Sequence, residues 1–387
     1  MSLRESRSVA VALVTCATFT DVIAYSIAVP VLPDLSERLG ATPTTIGLLF
    51  GSFGLTLLAV SVPMGAVSDR VGRRLPLVAG MIALALASLL FAVSRSLPWL
   101  FAARLVQGAA DGVTWVVGFA LIADRYGSED RGRVMGYVMS GTSVALLLGP
   151  SLGGWLYAMG GIEPPFVFVA VMSLACAAGF LVIRGAPLAA GHAPSAWSVI
   201  QSPAVAECAA YVVVMGATLA MLEPVLPLFF NRQLGLSPPQ IGLLFGAAAG
   251  AWIVMPIVYG PLVGSWGSRR LVRLGLVLMV LWLPMLGLAV GVKSALALML
   301  IEWMLVPLAV TPSLPYMADV TTIDGADAYG VGYGLYNTAW AIGLLIGPAL
   351  GGFVFERAGL AALLIAWSGA AIVVTLLLGR VQFRAST

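Results

Sequence analysis

Pro30-Val31-Leu32-Pro33 is followed, after a short gap, by Ile46-Gly47-Leu48-Leu49-Phe50-Gly51. The same order returns as Pro224-Val225-Leu226-Pro227 and Ile241-Gly242-Leu243-Leu244-Phe245-Gly246. A third pair agrees: Gly149-Pro150-Ser151-Leu152-Gly153-Gly154 and Gly347-Pro348-Ala349-Leu350-Gly351-Gly352. All three pairs are offset by about 195 residues, half the chain, far too long for a solenoid repeat. One folding unit has been duplicated and fused. Its function is expected where the halves face each other.

The 387 residues are 60% hydrophobic and 10% charged, with a mean hydropathy of +1.02. A soluble domain carries about 25% charged residues, so the solvent for this surface is lipid. The net charge of +3 says less than its distribution. Cys16, Cys176 and Cys208 lie in apolar runs with neither metal spacing nor a disulfide framework. His192 is the one histidine, so no histidine-based metal or catalytic site is expected. The apolar run from Val9 to Leu32 is too long for a signal-peptide core and reads as a first membrane helix.

Runs of about 20 apolar residues suit bilayer-spanning helices. Twelve are expected, at 8–32, 44–66, 75–94, 98–122, 134–158, 163–184, 203–230, 240–262, 271–292, 295–317, 331–355 and 360–379. The fold class is an all-α membrane protein of two six-helix pseudo-repeats. Residues 1–184 form the first half, 185–202 a cytoplasmic linker and 203–387 the second half. If both termini are inside, inner segments hold Arg4, Arg7, Arg70, Arg73, Arg74, Arg125, Arg131, Arg133, Arg184, Arg269, Arg270, Arg273, Arg380 and Arg384. Outer loops hold only Arg38, Arg95, Arg232, Lys293 and Arg357. This positive-inside bias places both termini in the cytoplasm of a plasma (inner) membrane. The inner loop with Asp319, Asp324 and Asp327 has no cation and is the exception.

Gly65-Ala66-Val67-Ser68-Asp69-Arg70-Val71-Gly72-Arg73-Arg74 forms a tight turn between helices two and three. Asp69 could accept from a neighbouring helix's N-terminal amides. The arginines could anchor at headgroups or pair with acids. The second copy, Gly260 to Arg270, has Gly264 where the acid stood. The ten-residue string resembles the signature loop of the major facilitator superfamily. Arg104-Leu105-Val106-Gln107-Gly108 resembles its membrane-embedded arginine motif. Gly141 to Gly154, ending Gly149-Pro150-Ser151-Leu152-Gly153-Gly154, resembles its antiporter motif. Glycines there allow close helix contact, and Pro150 can bend the helix. Gly65, Asp69, Arg70, Gly72, Arg73, Gly149 and Pro150 are the gating candidates.

The resemblance covers nearly the whole chain. It is strongest to the drug/proton antiporter branch that includes the vesicular monoamine transporters. Thr20-Asp21-Val22 through Pro33 is similar to their first helix, Ala220 to Pro224 to their seventh, and Glu129 to Gly136 to the loop before their fifth. Phe53 stands where they carry a lysine, Asn337 where they carry an acid, and another of their acids falls near Pro307. Monoamine specificity is therefore not implied.

A charge in the bilayer core costs at least about 2.5–3.5 kcal/mol on insertion scales. Asp21, Arg104, Asp111, Glu223 and Glu302 stand well inside apolar runs, and Glu207 lies nearer an end. Arg104 and Asp111, seven apart, share a helix face. They form either a structural charge pair or an arginine that biases an acid across a cavity. Asp21 and Glu223 have no nearby cation in sequence and are not duplicates of each other. They are either neutral buried carboxyls or sites that trade a proton for a cation. Proton coupling is therefore assigned to Asp21, Glu223, Asp111 and Arg104. Tyr25 lies one turn from Asp21, Trp115 one turn from Asp111, and Tyr333, Tyr336, Asn337 and Trp340 share one face. These aromatics either pack or wall a cavity for a cation. The substrate set is Asp21, Tyr25, Trp115, Glu223, Tyr333, Asn337 and Trp340.

The expected function is proton-coupled antiport exporting lipophilic, cationic small molecules by alternating access. The alternative is a facilitator or importer of a sugar or other neutral solute. No nucleophile–base set, metal cluster or phosphate-cradling loop is visible, so an enzyme is not expected. No cofactor, metal or nucleic acid is expected either; partners are the substrate, protons and lipid, with the chain a monomer.

Overall fold

The computed structural model describes residues 7–126, 128–182, 202–321 and 329–381, and among them it is helical with no strand. The first six helices are α1 (Arg7–Arg38), α2 (Pro43–Val71), α3 (Arg74–Val93), α4 (Leu97–Ala123), α5 (Ser128–Gly160) and α6 (Glu163–Val182). They are followed by α7 (Pro203–Leu234), α8 (Pro238–Ala249), α9 (Ala251–Trp266), α10 (Ser268–Trp282), α11 (Val292–Thr321) and α12 (Tyr329–Val381). The expected linker lies, apart from Ser202, outside the described residues.

Among the described residues eleven helical stretches are long and apolar enough to cross a membrane, and one of them is long enough for two crossings. The eighth crossing is α8 plus α9, a single apolar stretch from Pro238 to Trp266. Gly250 divides it, its amide reaching back only three residues to Ala247. The ninth is α10 extended by a 3-10 segment, Leu283–Leu288, because Pro284 lacks the amide that would continue the α-helix. The helix α12 contains two crossings. At about 1.5 Å per residue its apolar part, Gly334–Leu378, is over twice the thickness of a bilayer core. Gly359 breaks it at φ 77°, ψ 176°, a conformation that only glycine takes without strain.

Two compact units emerge. Unit 1 comprises Met1–Thr42, Leu49–Ala190 and Phe230–Gly246; unit 2 comprises Pro43–Leu48, Gly191–Phe229 and Ala247–Thr387. In unit 1, α5 lies against α1 because Gly149 faces Ser26 and Gly153 faces Ile27. The Phe91 and Phe166 rings stack at 4.9 Å between α3 and α6. In unit 2, Gly347 meets Ala217 and Gly351 meets Met221, so α12 lies on α7. Gly275 lets α10 approach the backbone of Leu308 and Ala309 on α11. Tyr211, Met215, Leu276, Met279, Val306 and Met317 fill the core there.

The duplicated strings meet one another inside each unit. In unit 1, Gly242 sits against the Pro150 carbonyl; in unit 2, Gly47 sits against the Pro348 carbonyl. Each glycine leaves room for a backbone rather than a side chain. Gly47→Ala and Gly242→Ala should each cost about 1–3 kcal/mol, read as a lower melting temperature in detergent. Gly136→Ala, with nothing within 4 Å of an added methyl group, is the control that should leave it unchanged.

Candidate functional site

Unit 1 gathers two of the membrane acids. Asp21 on α1 and Asp111 on α4 are 1% and 9% exposed, and the two carboxyls lie close enough to interact. Trp115, one turn beyond Asp111, donates its Nε1–H to Asp21 Oδ2 at 3.0 Å. Two carboxylates offer only acceptors, so the pair can close into a hydrogen bond only with a proton on one of them. Both acids sit away from water, and the indole fixes one carboxyl.

Arg104 does not sit in that pair. It is fully buried on α4 and donates from Nη1 to Gln107 Oε1 at 2.8 Å. Its guanidinium carbon lies 4.5 Å from the Phe50 ring centre, 5.6 Å from that of Tyr25 and 5.9 Å from that of Phe53. The rings of Tyr25 and Phe53 lie 4.9 Å apart. The shared face of Arg104 and Asp111 thus does not become the charge pair that spacing allowed. Arg104 is instead held by aromatic faces, which attract a cation through their quadrupoles. Phe53, the departure from the monoamine-transporter pattern, is part of that wall.

Unit 2 holds the other candidates. Glu223 is half-buried on α7, directly before Pro224. Asn337 and Trp340 are half-buried on α12. Tyr336 stacks on Trp340 with ring centres 6.3 Å apart, and its hydroxyl is 3.0 Å from Ser313 Oγ. The side chain of Tyr333 lies outside the described residues, as do those of Glu129 and Arg131. Glu302 on α11 is fully buried, and neither carboxyl oxygen has a hydrogen-bond partner. Glu207, nearer an end of its apolar run, is 3% exposed. Arg269 grips both of its oxygens at 3.0 Å, and Tyr211 donates to it at 2.7 Å. Residue spacing could not show the Asp21–Trp115 link or the Glu207–Arg269 pair, since each joins separate helices.

In the α2–α3 turn, Gly72 has φ 86°, and Gly65 is 3.6 Å from Val116 for an added methyl group. Arg73 is the hub. It bonds Asp124 at 2.9 Å, Asp69 at 2.5 Å and Ser68 at 2.6 Å. Asp69 therefore meets an arginine one turn away rather than helix amides, and Arg70 is exposed. Burial opposes the Arg73 charge, but the Asp124 and Asp69 carboxylates outweigh it and hold the guanidinium above its ordinary range. The latch therefore stays ionised wherever the carboxylates do. Asp69 is 62% exposed at its side chain and Asp124 only 12%. Asp69→Asn should cost under about 1 kcal/mol. Asp124→Asn should cost about 3 kcal/mol, since it strips a mostly buried guanidinium. Chemical-denaturant or thermal unfolding of the two variants checks the order.

Comparison with known proteins points the same way. The sequence pattern of the Major Facilitator Superfamily matches residues 14–321 and 208–385. The chain is 26% identical over 354 residues to the rat MFS-type transporter SLC18B1, covering 87% of this chain and 78% of that protein. It is 26% identical over 327 residues to the human chromaffin granule amine transporter, covering 82% of this chain and 61% of that protein's length. A bacterial homolog of the human lysosomal transporter Spinster, solved inward-facing and occupied, superposes with a TM-score of 0.81. Its identity is 14%, with 100% and 98% of the two chains covered, so it speaks to the fold.

Proposed function

The chain belongs to the major facilitator superfamily, and from that premise we propose that it is a proton-coupled antiporter exporting lipophilic, cationic amines. The observation that carries this reading is the Asp21–Asp111 carboxyl pair held by Trp115. A carboxyl pair that binds one proton can bind one ammonium in its place, and the two compete for the same charge. Competition combined with alternating access is exchange. Relatives named as amine transporters support the substrate class. The aromatic faces of Tyr25, Trp115 and Trp340 suit a lipophilic cation. Gly149 and Pro150 on α5, and the Asp69–Arg73–Asp124 latch, then serve as gating parts. The protein works as a monomer in the plasma membrane with both termini inside.

The test is transport by the purified chain in liposomes. An acid interior should drive uptake of a labelled aromatic amine, and collapsing the gradient with a protonophore should stop it. Uptake that ignores the gradient would leave a facilitator instead. Orientation is checked separately, in cells, with single cysteines at exposed Val71 and Ser265 in a background lacking Cys16. Both should react with an impermeant thiol reagent only after the membrane is opened; labelling in intact cells would reverse the topology.

A further inference from the structure

The latch of the first half has a counterpart in the second that has been emptied. Gly72 and Gly267, 195 positions apart, both take the left-handed conformation, at φ 86° and 82°. Asp124 and Asp319 are separated by the same 195 positions. In each copy the residue 51 positions earlier bonds that aspartate: Arg73 Nε at 2.9 Å, and Ser268 Oγ at 3.4 Å. So Ser268 stands where Arg73 stands in the first copy, and Gly264 stands where Asp69 does. A serine ends where the arginine's stem begins.

A cavity of about 560 Å³ opens there, its lining including Trp266, Ser268, Arg269, Arg270, Arg273, Tyr316 and Asp319. Its charge is unbalanced. Arg269 is committed to Glu207 through both carboxylate oxygens. Among the described residues Arg270 and Arg273 have no ion-pair partner. Among the described lining residues, Asp319 supplies one negative charge against their two positive ones. The Tyr316 hydroxyl is buried near Glu207 but outside hydrogen-bond geometry, leaving a donor at the wall.

The position names the source of a ligand. Trp266 ends one apolar span and Ser268 begins the next, so the cavity lies at a membrane surface. Trp266 is 54% exposed, as befits an indole at headgroup level. Arginines in forked geometry suit phosphate oxygens, and basic pockets between membrane helices are a recurrent seat for lipid headgroups.

We propose that this cavity binds the headgroup phosphate of an anionic phospholipid on Arg270 and Arg273. The lipid then ties α10 to the end of α11, as Arg73 ties the α2–α3 turn to Asp124 within unit 1.

The test uses the purified full chain, with phosphatidylglycerol and phosphatidylcholine titrated separately and counted by native mass spectrometry. One phosphatidylglycerol should bind about tenfold more tightly than phosphatidylcholine. The double variant Arg270→Gln/Arg273→Gln should lose that preference. Ser268→Arg should lose it as well, because the new guanidinium fills the cavity and pairs with Asp319. It keeps every native arginine, and a melting temperature equal to or above that of the unchanged chain verifies its fold. The proposal is overturned by equal affinity for the two lipids, or by a preference that survives Ser268→Arg. It is also overturned if millimolar inorganic phosphate displaces the lipid and stabilises the chain equally, which would make the cavity a soluble-anion site.

Discussion

Asp21→Asn reduces gradient-driven amine accumulation to the level of protein-free liposomes, a loss on the order of 100-fold or more, while the chain stays folded. The substitution is mild in shape. The asparagine oxygen still accepts the Trp115 Nε1–H that Asp21 Oδ2 accepts at 3.0 Å, and its amide can donate to Asp111. Only the shared proton is gone, because an amide does not titrate. The sign of the pH effect follows from competition. Under the proposed exchange a proton must leave the carboxyl pair before an ammonium takes its place, so acid should weaken amine binding. Binding strengthens as pH rises, until the amine itself loses its proton. In Asp21→Asn that dependence flattens. Asp111→Asn should behave alike if, as proposed, the pair carries one proton between its two carboxyls. Glu223→Gln, on α7 of unit 2, separates the two acids first expected to couple: if it alone abolishes coupling, the pair in unit 1 is not the carrier. Gradient-driven accumulation by both Asp21→Asn and Asp111→Asn at the unchanged rate would sink the assignment.

Glu302→Met makes the protein more stable, by roughly 1–3 kcal/mol. Losing a carboxyl usually destabilises only when the group has partners. Glu302 is fully buried, and both its oxygens lack a hydrogen bond. An unsatisfied buried polar group carries a desolvation cost with no return, and an apolar side chain of similar volume removes it. Glu302→Lys does the opposite: it places a strongly hydrated charge at the same point, and folded protein in the membrane should be lost. Thermal unfolding in detergent reads the first and yield of monodisperse protein reads the second. A melting temperature for Glu302→Met at or below that of the unchanged chain would mean that the carboxyl stabilises the fold. A residue that costs stability in a membrane helix is retained for something other than packing. Transport by the stabilised variant then tells whether that something is turnover.

The sequence by itself determined the number of crossings and the duplication. These are properties of local composition and of order along the chain. About 20 apolar residues suffice for a helix to cross lipid, and strings such as Ile46–Gly51 and Ile241–Gly246 compare directly. The break at Gly359 was legible as the loop between the last two apolar runs. Only the tertiary structure decided which buried groups meet. Helical periodicity says that Arg104 and Asp111 share a face; it cannot say what lies opposite. That depends on how each helix is rotated and which neighbour it packs against, set by contacts such as Gly149 on Ser26 and Gly80 on Val113. Those contacts turn Asp111 toward Asp21, 90 positions away, and wrap Arg104 in Phe50, Tyr25 and Phe53. They leave Glu302 facing no partner and bring Arg269 onto Glu207. The equivalence of Arg73 with Ser268 was present in the offset, but its meaning was not. An arginine replaced by a serine is only a shorter side chain until the packed helices around it show that, among the described residues, the space is left open.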